Sequence, residues 1–287
     1  MRIGVIGGSG LYQIEGLASP EWREVPSPWG RPSDSVLTGT LSGVPVAFLP
    51  RHGRGHRLGP SDIDYRANID ALKRVGVTDL ISVSACGSFR EEMAPGDFVM
   101  VDQFIDRTVN RQKTFFGPGL VGHVSMAHPV CARLHAALAH AAMAAEIPYH
   151  ARGTYLAMEG PQFSSLAESR MYREHWEADV IGMTNMPEAK LAREAEICYA
   201  TVAMVTDYDS WHDDHGEVDI TDILHVMGEN VAKARALLAT AIPALSAARE
   251  GCPNGCDRAL EHAIITAPEA RDPDLAGRLD AVAGRVL

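Results

Sequence analysis

Short apolar runs alternate with amphipathic stretches along most of the chain. Arg2 to Ile6, Val44 to Leu49, Leu80 to Ser84 and Phe98 to Val101 each read as a short buried strand. Ile63, Ala67, Ala71 and Val75 recur every four residues, which predicts a helix. Ser61 with Asp64 three residues later supplies a cap pattern at its start, and Gly76 ends it. Further helices are predicted from Ala132 to Ala145, from Ser165 with Glu168 as its capping partner, and from about Thr221 to Ala248. Ala178 to Thr184 and Ile197 to Val205 are the later strands, and Pro187 suits the first turn of the helix between them. This alternation implies an α/β fold: a single-domain three-layer sandwich with a central mixed, largely parallel sheet flanked by helices. The domain is expected to span 1–250. Gly251-Cys252-Pro253-Asn254-Gly255-Cys256 then breaks the pattern. Residues 251–287 read as a C-terminal extension with one helix from about Asp274 to Val286, not as an independent domain.

Three of the strands end in segments suited to an oxyanion. The first runs into Gly7-Gly8-Ser9-Gly10, which offers backbone N–H groups and a hydroxyl. The second runs into Arg51-His52-Gly53-Arg54-Gly55-His56, and the third into Ser84-Ala85-Cys86-Gly87-Ser88. In an open parallel sheet such tips gather at the carboxyl ends of the strands, where ligands bind. Gly7 to Gly10 taken alone is equally a tight turn. Arg51 is harder to read as a surface charge, because it follows a buried strand directly. Together the three tips suggest one site for phosphate or a phosphoryl group.

Composition narrows the partners. Of 287 residues, 46% are hydrophobic, enough for a sizeable core. The net charge of −11 disfavours nucleic acid and anionic lipid as partners. No apolar run approaches the roughly 20 residues of a membrane span, and the residues after Met1 do not read as a signal peptide. The five cysteines are Cys86, Cys131, Cys198, Cys252 and Cys256, an odd count that favours a reducing cytoplasm. Cys252 and Cys256 alone make an incomplete zinc site, so a reduced loop and no metal are expected.

Ser84 to Ser88, continuing through Pro95-Gly96-Asp97 to Asp102-Gln103-Phe104-Ile105-Asp106-Arg107-Thr108, closely resembles the methylthioadenosine phosphorylases of the trimeric purine nucleoside phosphorylase group. Gly7 to Leu11, Trp29 to Asp34, Arg51-His52-Gly53, Glu159 to Ser165, Met183 to Glu188 and Ala203 to Asp209 fall in the same order as in that family. The resemblance covers residues 2 to about 247. It implies a nucleoside phosphorylase-like fold, a homotrimer or hexamer, and no cofactor beyond inorganic phosphate as co-substrate. It also implies the reaction, in which phosphate attacks the anomeric carbon of 5'-methylthioadenosine and releases adenine and 5-methylthioribose 1-phosphate.

By similarity, Ser9, Arg51, His52, Ser84 and Thr184 would hold phosphate, with the Arg51 guanidinium binding two oxygens at once. Asp207 and Asp209 stand two apart at a strand end, so extended geometry puts both on one face. Two neighbouring acids in a poorly solvated pocket cannot both ionise cheaply, so one is expected to keep a proton for the leaving adenine. The resemblance assigns Asp207 as the general acid at N7 and Asp209 to the amino group. It further places Ala85, Cys86, Gly87, Phe163 and Met183 around the base and ribose, and Ile220, Ile223 and Leu224 around the 5'-methylthio group. It also implies that His123 is donated across a trimer interface. Gly182 stands where the animal enzymes have Asn.

A close rival is a phosphorylase of methylthioinosine or of 6-oxopurine nucleosides. The two acids argue against it, and Gly182 keeps it open. A nucleosidase would leave Arg51, His52 and the hydroxyls without a task, and a non-catalytic nucleoside sensor would not need them.

Overall fold

The computed structural model describes residues 1–8, 10–212, 220–247 and 251–287. The amino-terminal half contains β1 (Arg2–Gly7), β2 (Leu17–Arg23), β3 (Val36–Leu41), β4 (Val44–Pro50), α1 (Tyr65–Arg74), β5 (Val77–Ser88), β6 (Phe98–Val101), β7 (Gln103–Asp106) and α2 (Ala132–Ala144). There follow β8 (Tyr149–His150), β9 (Thr154–Ala157), α3 (Leu166–Glu174), β10 (Val180–Gly182), α4 (Asn185–Glu194), β11 (Cys198–Tyr208) and α5 (Ile220–Ala247). Two short helices, α6 (Pro273–Arg278) and α7 (Asp280–Ala283), lie in the extension.

All eleven strands join one mixed sheet whose centre is parallel. The long strand β5 is its hub. It pairs in parallel with β1 along its first half and with β11 along most of its length, and antiparallel with β10 at its end. Its side chains are buried almost throughout, as expected for a strand covered on both faces. One face packs against α1, α4 and the extension, the other against α2 and α5. The carboxyl ends of β1, β4, β5 and β11 therefore converge, with Gly182 to Thr184 folded back beside them. Arg51 is fixed there by its backbone N–H, which donates to the Gly7 carbonyl at 2.9 Å.

Two expected elements differ. The first helix starts at Tyr65, not at Ser61. Asp64 caps it, its carboxylate accepting from the Ala67 N–H at 3.1 Å, while the Ser61 hydroxyl turns to Glu159 at 2.6 Å. Asp64 is itself a capping residue, and the bond from Ser61 to Glu159 leaves the cap to it. The helix expected over 274–286 is broken into α6 and α7, with Gly277 and Gly284 lowering helix propensity. The capping box at Ser165 and Glu168 forms as read: Ser165 Oγ accepts from the Glu168 N–H, and Glu168 Oε2 accepts from the Ser165 N–H at 2.9 Å.

The extension is packed into the core. Leu260, Leu279, Val282 and Ala283 are buried against α1 and α4, and Asp280 pairs with Arg74. Among the described residues no helix is long and apolar enough to cross a membrane.

Candidate active site

The convergent strand ends enclose a cavity of about 660 Å³. Thirteen of the residues singled out by the resemblance line it together: Arg51, His52, Ser84, Ala85, Cys86, Gly87, Phe163, Met183, Thr184, Asp207, Asp209, Ile223 and Leu224. Ser9 and the side chain of Ile220 lie outside the described residues. His123 is not in this cavity. It is exposed and borders a separate, smaller depression with Lys113, Lys190 and Glu194.

At one end lies the basic corner. Arg51 is 2% exposed, yet its fork does not face the cavity freely. Its Nε donates to Glu188 Oε2 at 2.7 Å and Nη2 to Oε1 at 3.0 Å, with Ser82 Oγ also reached from Nη2 at 2.6 Å. Nη1 donates to the Val83 carbonyl at 3.1 Å. A guanidinium has five N–H groups, so these partners leave a single Nη1–H for an anion. The fork on which a bidentate clasp was expected is thus taken up by Glu188 and Ser82, leaving one N–H and a full positive charge. Burial opposes that charge, but the Glu188 carboxylate outweighs it and holds the pKa above the ordinary value.

His52 places Nδ1 at 2.9 Å from the Leu58 carbonyl. A carbonyl only accepts, so Nδ1 carries the proton and Nε2 of the neutral ring is a bare acceptor. Burial, opposed by the Leu58 bond and helped by nearby Arg51, lowers its pKa to about 4. Ser84 Oγ donates to Asn185 Oδ1 at 2.9 Å, so its hydroxyl must turn to serve an anion. Thr184 precedes α4 and makes no side-chain capping bond; Met186 is extended, so the regular helix begins only at Pro187 and Thr184 offers its hydroxyl alone.

The acids lie across the cavity. Pairing between β5 and β11 shifts at Thr206, where Val205 faces Cys86 and Asp207 faces Gly87. Such a bulge re-aims the side chains after it. Burial raises the pKa of Asp207, partly offset by Thr206 Oγ1, which donates to Oδ1 at 2.7 Å. Burial also pushes Asp209 to about 6, with the neighbouring Asp207 charge adding to it. Asp209 Oδ2 is buried without a hydrogen-bond partner among the described residues. Gly87 makes room for the pair, since a Cβ there would come 3.0 Å from Asp207 Oδ2. The Cys86 thiol is buried and raised well above its ordinary pKa, which makes it a packing group and not a nucleophile.

The remaining wall is apolar. Ile223, Met227 and Val231 form one stripe of α5, with Leu224 beside it and Phe163 opposite, both substantially exposed at the rim. The sequence reading missed Met227 and Val231, although a period of four from Ile223 points to both. It gave no role to Glu188, Asn185, His56 and Met204, although all four stand inside the quoted motifs, nor to Met158. The Met183 carbonyl accepts from Arg111 Nη1.

Residues 2–243 match the phosphorylase superfamily. An S-methyl-5'-thioadenosine phosphorylase of Cereibacter sphaeroides is 67% identical, with 99% of this chain and 98% of that protein covered. One from Geobacter sulfurreducens is 52% identical over 98% of each. The extension therefore belongs to the shared length, beyond the reach of the motifs read above. Among solved structures, a methylthioadenosine phosphorylase from an antarctic soil metagenomic library superposes with a TM-score of 0.93 at 46% identity, covering 98% of both chains. The Schistosoma mansoni methylthioadenosine phosphorylase in complex with adenine gives 0.85 at 35% identity, over 91% of this chain and 97% of that one. On this agreement of fold, cavity and sequence, the chain belongs to the phosphorylase superfamily and, within it, to the methylthioadenosine phosphorylases.

Proposed function

We propose that the chain cleaves S-methyl-5'-thioadenosine with inorganic phosphate, giving adenine and 5-methylthioribose 1-phosphate. The observation that carries this reading is one cavity holding a basic corner, a pair of buried acids whose pKa values are raised, and an apolar wall. Phosphate sits against Arg51 Nη1, His52, Ser84 and Thr184, with Ser9 completing the shell. Its charge stabilises the oxocarbenium-like sugar as the glycosidic bond breaks. The Asp207–Asp209 pair holds one proton between them. Asp207 passes it to N7 of the departing base, and Asp209 accepts from the exocyclic amino group. Phe163 and Met183 flank the base and ribose. Ile223 and Leu224, with Ile220, enclose the methylthio group, and Met227 extends that surface.

No cofactor enters this scheme. The catalytic unit is a homotrimer in the cytoplasm, with His123 of one subunit reaching the 5' end of its neighbour's cavity. His123 is exposed and does not line its own cavity, as expected of a donated residue.

The test is base release from methylthioadenosine, methylthioinosine, adenosine and inosine, each with and without phosphate. Phosphate-dependent adenine release from the first is expected. Preferred turnover of methylthioinosine would move the assignment to the 6-oxopurine enzymes, and release without phosphate would make the chain a nucleosidase.

A further inference from the structure

Four of the five cysteines meet at one buried point. Cys131 is the N-cap of α2, Cys198 opens β11, and Cys252 and Cys256 belong to the turn that starts the extension. Their Sγ atoms all lie within 4.8 Å of one another, and those of Cys131 and Cys252 are 3.5 Å apart. Four sulfurs around a tetrahedral ion at roughly 2.3 Å stand about 3.8 Å from each other, so the cluster needs little adjustment to close on one.

We propose that Cys131, Cys198, Cys252 and Cys256 bind one zinc ion as a closed, structural site that fastens the C-terminal extension to the core. This replaces the sequence expectation of a reduced loop without metal. That expectation considered Cys252 and Cys256 by themselves. It could not see that the fold brings Cys131 and Cys198 against them.

The surroundings suit thiolates. Cys131 is the N-cap of the 13-residue helix α2, whose positive end favours a thiolate there. Arg133 lies within interaction distance of Cys131 and Cys198, and its buried Nε and Nη1 lack hydrogen-bond partners among the described residues. Four thiols give up four protons on binding Zn²⁺, leaving a net charge of −2; nearby Arg193 and Arg133, the latter also paired with buried Asp79, offset part of it. Three residues separate Cys252 from Cys256, a spacing used by zinc turns. Gly255 makes the reversal in the left-handed region at φ 66°, and the Cys252 N–H is held by Asp257 Oδ2 at 3.2 Å. Soft sulfur ligands without oxygen or imidazole favour zinc over magnesium, calcium or manganese. Four protein ligands leave no open position for catalysis. Cys198 lies nine residues before Asp207 on the same strand, or about 30 Å at 3.3 Å per residue. The site is thus independent of the phosphorolysis reading.

The experiment is metal analysis of the full chain purified under reducing, chelator-free conditions. One zinc per chain is expected. Titration with an organomercurial should release that zinc as four thiols react. In Cys252→Ser/Cys256→Ser the zinc should vanish and the melting temperature should fall by about 5 °C or more. Cleavage of methylthioadenosine at 25 °C should stay within about twofold of the parent, because the site touches no reacting group. If that variant does not fold, stripping the parent with a chelator supplies the same comparison, with loss of zinc and loss of thermal stability expected together. The proposal is overturned by a zinc-supplemented preparation that holds no zinc and has four freely reactive thiols. It is equally overturned by two disulfides among these cysteines, or by a coloured iron site.

Discussion

Glu188 occupies the guanidinium fork of Arg51, oxygen to nitrogen at 2.7 and 3.0 Å, with both side chains all but fully buried. The Tyr199 hydroxyl donates to the same carboxylate at 2.9 Å. The residue that carries the positive charge to the cavity is therefore aimed by an acid behind it. Replacing Arg51 with Lys keeps the charge but cannot span Glu188, Ser82 and an anion at once. Arg51→Lys should lower kcat/KM for phosphate by about 100-fold or more, equivalent to about 3 kcal/mol, with a smaller change in KM for the nucleoside. Equal losses for both substrates in steady-state assays would contradict the placement.

Removing the acid should act differently. Glu188→Ala leaves a buried, unpaired guanidinium, and one-sided loss of such a pair costs about 3–5 kcal/mol. Urea denaturation should show that loss. A change below about 1 kcal/mol would mean that the pair is not buried in solution.

Asp207→Asn removes the carboxyl proton while keeping the shape. General-acid catalysis is worth roughly 10² to 10⁴ in rate, so kcat/KM for methylthioadenosine should fall within that range. Turnover of 6-oxopurine nucleosides should rise relative to it, because the amide now donates. Unchanged kinetics for both would remove Asp207 from the leaving-group role.

Asp209 sets a pH dependence in the free enzyme. Its carboxyl titrates near 6 in the fold against an ordinary 3.8, so the folded state holds a proton that the unfolded chain has released. Stability from this group is complete below about pH 4 and is lost as pH rises through 6. Asp209→Asn should therefore be more stable than the parent at pH 7, by about 2–3 kcal/mol, with the difference vanishing near pH 3.8. Denaturation series at the two pH values check both the size and the direction.

Gly182 has no space for a side chain, because a Cβ there would run into the Tyr155 hydroxyl. Gly182→Ala should cost about 1–3 kcal/mol of stability by overpacking. Adding Tyr155→Phe should recover part of it. A double-mutant cycle with no coupling would show that the two groups do not meet.

The strands and the meeting of their tips at one cavity were legible because buried parallel strands are continuous apolar runs, and the polar residues stand immediately after them. The acids were legible for the same reason, although the bulge at Thr206 that aims Asp207 leaves no mark in the residues themselves. What stayed hidden is long-range. Glu188 is 137 residues from Arg51, so nothing local tells that it takes most of the fork. Cys131 and Cys252 are 121 residues apart, and only the packing of the extension makes them neighbours. The start of α1 was misread for the opposite reason: two capping residues stood three positions apart, and the tertiary bond from Ser61 to Glu159 decided between them.

The single bond from His52 to the Leu58 carbonyl reaches further than its own loop. At neutral pH it leaves the ring with only a lone pair to present. An oxyanion still carrying a hydrogen can satisfy that nitrogen; one fully stripped of hydrogen meets it pair against pair. On the phosphate placement proposed above, that nitrogen would favour monohydrogen phosphate over sulfate of the same shape and charge, through a backbone oxygen on the far side of an imidazole.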